Sequence, residues 1–226
     1  ALPIYLLRRG LSYQMIEENL YRTVPMTGQA MLCQKLLEQG CTLAGVPGFY
    51  QAKSGHWMFV SPGRGFLIPV LDMAGCIQGL IVRLDQSHKG KYRWVSSYDY
   101  QGGVKAYGWV HIAGSLQPQI LLTEGHLKGE IVHRLTGQTV VAVPGVNNLT
   151  ELKRLLPALY KQGVRRVMTA YDMDFLRKEP VKRAYHQLCV LLEQNKFAYG
   201  SYFWPPKYNG LDDYCLACQK EKIRFY

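Results

Sequence analysis

The spacing of hydrophobic positions changes twice along the chain. In residues 1–42 it is helical: Ser12, a residue type that caps helices, precedes Tyr13–Tyr21 with Glu17 and Glu18 in the early turns, and an amphipathic stretch, Gln29–Gln39, lies between Gly28 and Gly40. We read residues 1–42 as an N-terminal helical segment. From Leu43 the apolar runs shorten and glycine punctuates them, as in Trp57-Met58-Phe59-Val60, Gly65-Phe66-Leu67-Ile68-Pro69-Val70 and Cys76-Ile77-Gln78-Gly79-Leu80-Ile81-Val82. Strands and tight turns produce this texture, and Leu71-Asp72-Met73-Ala74-Gly75 fits a hairpin turn, so residues 43–116 are expected to form a mostly antiparallel β unit. After Gln117-Pro118 longer segments alternate: strands at Ile120–Glu124, Thr139–Val143, Val164–Asp172 and Phe197–Phe203, helices at Leu127–Leu135, Leu149–Gln162 and Pro180–Gln194. Alternation of this kind predicts an α/β fold over residues 117–226, a parallel sheet flanked by helices.

Two of these strands run into acids. Ile120-Leu121-Leu122-Thr123 ends in Glu124-Gly125, and Val164–Tyr171 runs into Asp172-Met173-Asp174. The carboxyl edge of a parallel sheet, where loops leave the strand tips, is where ligands and metals bind. Asp172 and Asp174 are two apart, so on a strand their side chains leave the same face and can share a cation. Asp212-Asp213, after the loop Pro205–Gly210, offer further carboxylates. An oxygen-only donor set suits Mg²⁺ or Mn²⁺ rather than zinc. Such an ion bridges phosphate oxygens and activates a hydroxyl or water for displacement at phosphorus. Asp-x-Asp alone is common among solvated loops; Glu-Gly after one strand and Asp-x-Asp after another is far more specific. Lys128, four residues after Glu124, has two readings, a phosphate contact or an ion pair with a carboxylate. Lys91 and Arg93 alternate along one strand and share a face, as a phosphate-tracking strand or a solvated edge would.

Charge narrows the partners. The 226 residues carry 27 Lys and Arg against 16 Asp and Glu, a formal +11, which favours a polyanion such as nucleic acid. Residues 117–226 hold 16 of the basic and 10 of the acidic side chains, and five of those acids belong to the proposed metal site, so the remainder of this half is strongly cationic. No apolar run is long enough to span a bilayer, and the first residues place charge after the apolar run, the reverse of a secretory signal, so a soluble, cytoplasmic protein without a membrane partner is expected. Six cysteines show no disulfide spacing, which fits a reducing compartment. Cys215-x-x-Cys218 lacks the second pair that a structural zinc needs, and half-burial on a helix accounts for it better. None of the six histidines has metal-ligand spacing, and no context marks one of the 16 tyrosines as a nucleophile; packing or base stacking accounts for them.

Thr123-Glu124-Gly125, Asp172-Met173-Asp174 and Gly210-Leu211-Asp212-Asp213-Tyr214, in this order, resemble the motifs of the TOPRIM domain of topoisomerases, bacterial DnaG-type primases and some nucleases. Upstream, Phe66–Val70, Gly75–Gly79, Arg83 and Lys91–Ser97 are similar to the N-terminal half of the primase catalytic core. The Arg-Gly-Leu-Ser opening at Arg9–Ser12 and the Gly-Leu-Asp-Asp-Tyr ending look most like primase-like TOPRIM domains of phages, plasmids and other mobile elements. The resemblance implies a Rossmann-like TOPRIM sheet after a mixed α+β subdomain. It implies template-directed nucleotidyl transfer, primer synthesis on single-stranded DNA from nucleoside triphosphates, with Glu124, Asp172 and Asp174 catalytic and holding Mg²⁺ or Mn²⁺ together with Asp212 or Asp213. Arg83, Lys91, Arg93, Lys105 and Lys128 would then contact template or nucleotide phosphates. Primases usually show Asp-x-Asp at the last motif, where these acids are adjacent. A helicase or a zinc-binding module, neither within these residues, would be partners. A TOPRIM nuclease and a nucleic-acid-binding module without chemistry are the two alternatives.

Overall fold

The computed structural model describes residues 2–86, 90–172, 179–223 and 225. The chain divides into two compact units, one of Ala1–Ile4, Ile16–Pro69 and Ile77–Tyr107, the other of Tyr5–Met15, Val70–Cys76 and Gly108–Tyr226. Two short helices, α1 (Leu2–Arg8) and α2 (Tyr13–Glu18), hold residues of both. Ser12 caps α2 as expected, its Oγ accepting the Met15 N–H at 3.1 Å.

The first unit is built on a four-stranded sheet of order β1 (Arg22–Thr23), β4 (Gly65–Leu71), β5 (Ile77–Leu84), β6 (Tyr92–Trp94). Helix α3 (Gln29–Glu38) and the antiparallel hairpin β2 (Phe49–Gln51) with β3 (Trp57–Phe59) complete it. Cys33 of α3, Leu43, Phe59, Val82, Leu84 and Val95 form its core. The β5–β6 pair is antiparallel, with Val82 opposite Arg93 and Arg83 opposite Tyr92.

The second unit is a five-stranded sheet in the order β11 (Ala198–Ser201), β10 (Arg166–Thr169), β8 (Gln119–Glu124), β9 (Val140–Val143), β7 (His111–Ala113). The first four strands are parallel and β7 pairs antiparallel to β9. Strand β7 falls within the 43–116 stretch expected in the upstream β unit. Its three buried residues, His111, Ile112 and Ala113, instead close the edge of the later sheet. Alternate residues of the strands face opposite ways. Ile120, Leu122, Val141 and Val143 pack with α5 (Thr150–Lys161) and α6 (Glu179–Gln194), and Leu121 and Val140 pack with α4 (His126–Thr136) and α7 (Leu211–Glu221). Helices therefore cover both faces of a parallel sheet. The chain leaves β8 toward β9 on one side and later returns to β10 on the other, so the direction of winding reverses between β8 and β10. At such a reversal the loops splay apart and leave a crevice beyond the strand tips.

Candidate active site

Glu124 is the last residue of β8, beside that crevice, and Gly125 turns the chain straight into α4. Gly125 adopts φ 83°, which L side chains resist, and its N–H donates to the Val143 carbonyl at 2.8 Å. One turn later Gly129 faces β9 so closely that a Cβ there would sit 2.7 Å from the Ala142 Cβ. The start of α4 is thus clamped to the sheet, and with it Lys128.

Asp172 lies three residues beyond Thr169, the end of β10, in the loop rather than on the strand as the sequence pattern predicts. The strand's parity therefore does not govern it. The loop nonetheless returns Asp172 to α4: Lys128 Nζ donates to Asp172 Oδ1 and stands 3.9 Å from Glu124 Oε1. The other carboxylate oxygen of Asp172 accepts from Asn209 Nδ2 at 3.3 Å. These side chains are shielded but reachable, with exposures of 28% for Glu124, 17% for Lys128 and 18% for Asp172. Of the two readings of Lys128, the ion pair is the arrangement present. Asp174 lies outside the described residues.

Asp212 and Asp213 open α7 and are held differently. Arg9, past the end of α1, places Nη2 on Asp212 Oδ2 and Nη1 on Asp213 Oδ1, the latter at 2.8 Å. Asp212 is 4% exposed, Asp213 far more. Asp212 is not remote from Asp172, because a Cβ on Gly210 would collide with Asp212 Oδ1 and lie 3.5 Å from both Asp172 Oδ1 and Lys128 Cε. Asp172 and Asp212 thus both approach the Gly210 backbone, and Glu124 is linked to Asp172 through Lys128. Nothing in the sequence pairs Arg9 with acids some 200 residues away; its Arg-Gly-Leu-Ser context was the single signal.

Neighbouring histidines serve the scaffold. His126, first residue of α4, donates Nε2–H to the Trp109 carbonyl at 2.8 Å, and burial holds its pKa at about 3, so it stays neutral. His111 accepts the Leu71 N–H at Nδ1 and, at 3.0 Å, donates Nε2–H to Glu130, which also receives Arg134 at 2.9 Å. Burial pushes the Glu130 carboxyl up, but the hydrogen bonds from His111 and Arg134 and the Arg134 charge outweigh it and leave it below the ordinary range. Sequence reasoning also missed Tyr171. Its hydroxyl is buried, has no hydrogen-bond partner among the described residues, and is pushed upward by burial and then by the Glu124 charge. Cys215 and Cys218 are buried on α7, and burial drives the Cys215 thiol up to about 12, which keeps it protonated.

The basic residues of the first unit do not share one face. Residues opposed across an antiparallel pair point to the same side. Arg83 therefore lies with Tyr92, and Arg93 with Val82 on the reverse of the sheet. The Arg83 guanidinium sits 5.9 Å from the Phe66 ring, while Lys91, Arg93 and Lys105 are exposed. Ser97, in the motif Lys91–Ser97, is a buried knot: Oγ accepts from Gly48 N and Val104 N and donates to the Phe49 carbonyl.

Among the described residues no three His, Cys, Asp or Glu side chains form a group that could hold a metal ion. The donor chemistry still fits Mg²⁺ or Mn²⁺: the oxygens of Glu124 and Asp172 already enclose one positive charge, the Lys128 ammonium. No helix among the described residues is long and apolar enough to cross a membrane.

Taken together, the fold is that of bacterial primase catalytic cores. The chain aligns over 98% of its length with the zinc-binding and RNA polymerase domains of the Aquifex aeolicus primase, at 17% identity and a TM-score of 0.71, and spans 53% of that chain. It aligns over 97% of its length with the RNA polymerase domain of Mycobacterium tuberculosis primase DnaG (17% identity, TM-score 0.69, 72% of that chain). A DnaG primase catalytic domain bound to ssDNA is similar over 96% of this chain and 67% of its own (17% identity, TM-score 0.61). Residues 108–222 match the family described as Domain of unknown function (DUF3854), and the chain belongs to it. No curated protein matches the sequence.

Proposed function

We propose that the chain is the catalytic core of a primase-like nucleotidyltransferase of TOPRIM type, which makes primers on single-stranded DNA in phage or mobile-element replication. The observation that carries this reading is the convergence of Glu124 and Asp172 at the reversal point of the sheet, in a chain that aligns over nearly its whole length with primase cores. Glu124, Asp172 and Asp174 would hold Mg²⁺ or Mn²⁺, with Asp212 nearest among the remaining acids. When bound, the ion neutralises triphosphate charge and makes a hydroxyl a better nucleophile. Glu124 would otherwise serve as general base toward the attacking hydroxyl. Asn209 orients Asp172 by its hydrogen bond. Arg83, Lys91, Arg93 and Lys105 supply positive charge for template phosphates, an interaction that weakens as salt rises. The test is primer synthesis from labelled nucleoside triphosphates on a single-stranded template: Asp172→Asn and Glu124→Gln should lose product, and Lys220→Ala, in the last turn of α7, should keep it. Retention of product in Asp172→Asn would sink the proposal.

One observation favours a second reading. Lys128 and Arg9 already pair with Glu124, Asp172, Asp212 and Asp213, as expected of a module that binds nucleic acid without chemistry. In that case affinity for single-stranded DNA falls steeply with salt and survives Asn or Gln at all four acids.

A further inference from the structure

We propose that Lys128 is a displaceable counter-ion: in the metal-free protein its ammonium fills the place between Glu124 and Asp172 that a divalent cation takes, and loading of the cation releases it to a substrate phosphate. The inference rests on the metal-dependent reading above. Four features of the site lead to it.

The ammonium already occupies a cation's position, donating to Asp172 Oδ1 and lying 3.9 Å from Glu124 Oε1. A divalent ion bound to the same two carboxylates cannot share that space with a like charge, so one of the two must leave. Backbone movement is not the way out. Gly125 is tied to β9 through Val143, and Gly129 is pressed against Ala142, so the Lys128 Cα is fixed and only its four-carbon stem can swing. Lysine suits this: a point charge on a flexible stem loses no bidentate geometry on release. Asp172 meanwhile keeps Asn209 on its other oxygen and remains oriented after the ammonium goes. The freed side chain, rooted in the first turn of α4 beside the metal, is then placed for a triphosphate oxygen. Both sequence readings of Lys128, carboxylate pair and phosphate contact, describe two states of one residue.

The experiment is Mn²⁺ binding to the full chain, followed by electron paramagnetic resonance and by calorimetry, for the wild type, Lys128→Met and Lys128→Gln. Nucleoside triphosphate binding is then measured at saturating Mn²⁺, and circular dichroism checks that each variant is folded. Loss of the competing ammonium should tighten Mn²⁺ binding by about tenfold or more, and loss of the phosphate contact should weaken triphosphate binding by a similar factor. Unchanged or weaker Mn²⁺ binding in both folded variants overturns the proposal, and so does tighter Mn²⁺ binding with unchanged triphosphate affinity. A failure of the underlying reading looks different: the wild type and both variants bind no Mn²⁺, or bind it equally well after Asp172→Asn.

Discussion

The second unit holds two pairs of acids, each bridged by one basic side chain of the chain itself, and they differ in what that base can do. At the N-terminus of α7, Arg9 spreads a planar fork over Asp212 and Asp213, with Asp212 nearly inaccessible to water. At the tip of β8, Lys128 presents one ammonium to Glu124 and Asp172, with all three side chains partly open to solvent. A guanidinium fork bound to two carboxylates resists exchange, because each hydrogen bond is aligned by the others. An ammonium on a flexible stem does not. The first cluster thus pins the segment after α1 to the start of α7, and the second is the one at which we propose exchange with a metal ion.

The largest effect expected to test this contrast is on stability. Arg9→Ala strands the buried Asp212 carboxylate without its partner, and breaking such a pair costs about 3–5 kcal/mol. Lys128→Ala touches a pair with water access and should cost about 1 kcal/mol or less. Urea unfolding of the two variants gives the order directly; a larger loss at Lys128 would reverse the assignment. Arg9→Ala combined with Asp212→Asn should recover much of the loss, since the stranded charge is gone.

Acid titration can compare the clusters only after the background from α4 is removed. His126 has a folded-state pKa of about 3 against an ordinary value of 6.5. Between these values the unfolded chain binds the proton and the folded chain does not. The stability linked to His126 is complete above pH 6.5 and is lost as pH falls toward 3, with a slope of about 1.4 kcal/mol per pH unit. His126→Gln keeps an N–H donor for the Trp109 carbonyl and should flatten unfolding free energy against pH through that window. Glu130, whose pKa is lowered, adds stability that is present above the ordinary carboxylate range and lost only below it. A slope unchanged in His126→Gln would mean that the acid response originates elsewhere.

Gly210 sits between the clusters. A methyl group there runs into Asp212 Oδ1 and reaches van der Waals contact with Asp172 Oδ1 and Lys128 Cε. Gly210→Ala should therefore cost about 1–3 kcal/mol by overpacking. Because it presses on both clusters, its effect should be non-additive with that of Arg9→Ala in a double-mutant cycle. Additivity would show the clusters to be independent.

How much of this could be read from the sequence follows the range of each interaction. The alternation after Gln117 is a local pattern, and it located β8 to β11 and α4 to α6 within a few residues. Glu124-Gly125 was legible because the abrupt end of an apolar run and the positive φ of a tight turn are both local. Strand β7 was not, since three residues, His111–Ala113, carry too little period to be distinguished from the β unit before them. Asp172 was expected on a strand because the apolar run continues to Tyr171; that run is buried beyond the last ladder pairing, and burial alone does not make a strand. The pairing of Arg9 with Asp212 and Asp213 spans most of the chain and leaves no local trace. Nor could Arg83 be separated from Arg93, because their faces depend on how β5 and β6 are registered.

The smallest expected effect concerns the reach of the Lys128 cluster. Tyr171, the residue before Asp172, buries a hydroxyl with no partner among the described residues, close enough to Glu124 for its charge to act on the phenol. An unsatisfied buried hydroxyl is a cost, so replacing it with hydrogen should relieve that cost rather than add one. Tyr171→Phe keeps the ring against Tyr185, centroids 6.3 Å apart, and should raise stability by about 1 kcal/mol while leaving Mn²⁺ affinity within about twofold. Denaturant unfolding and metal titration on one preparation measure both. A fall in stability would reveal a partner for the hydroxyl, such as a trapped water; a fall in Mn²⁺ affinity would place that partner at Glu124. In the second case the Lys128 cluster would extend to Tyr171, and the contrast with the Arg9 cluster would widen.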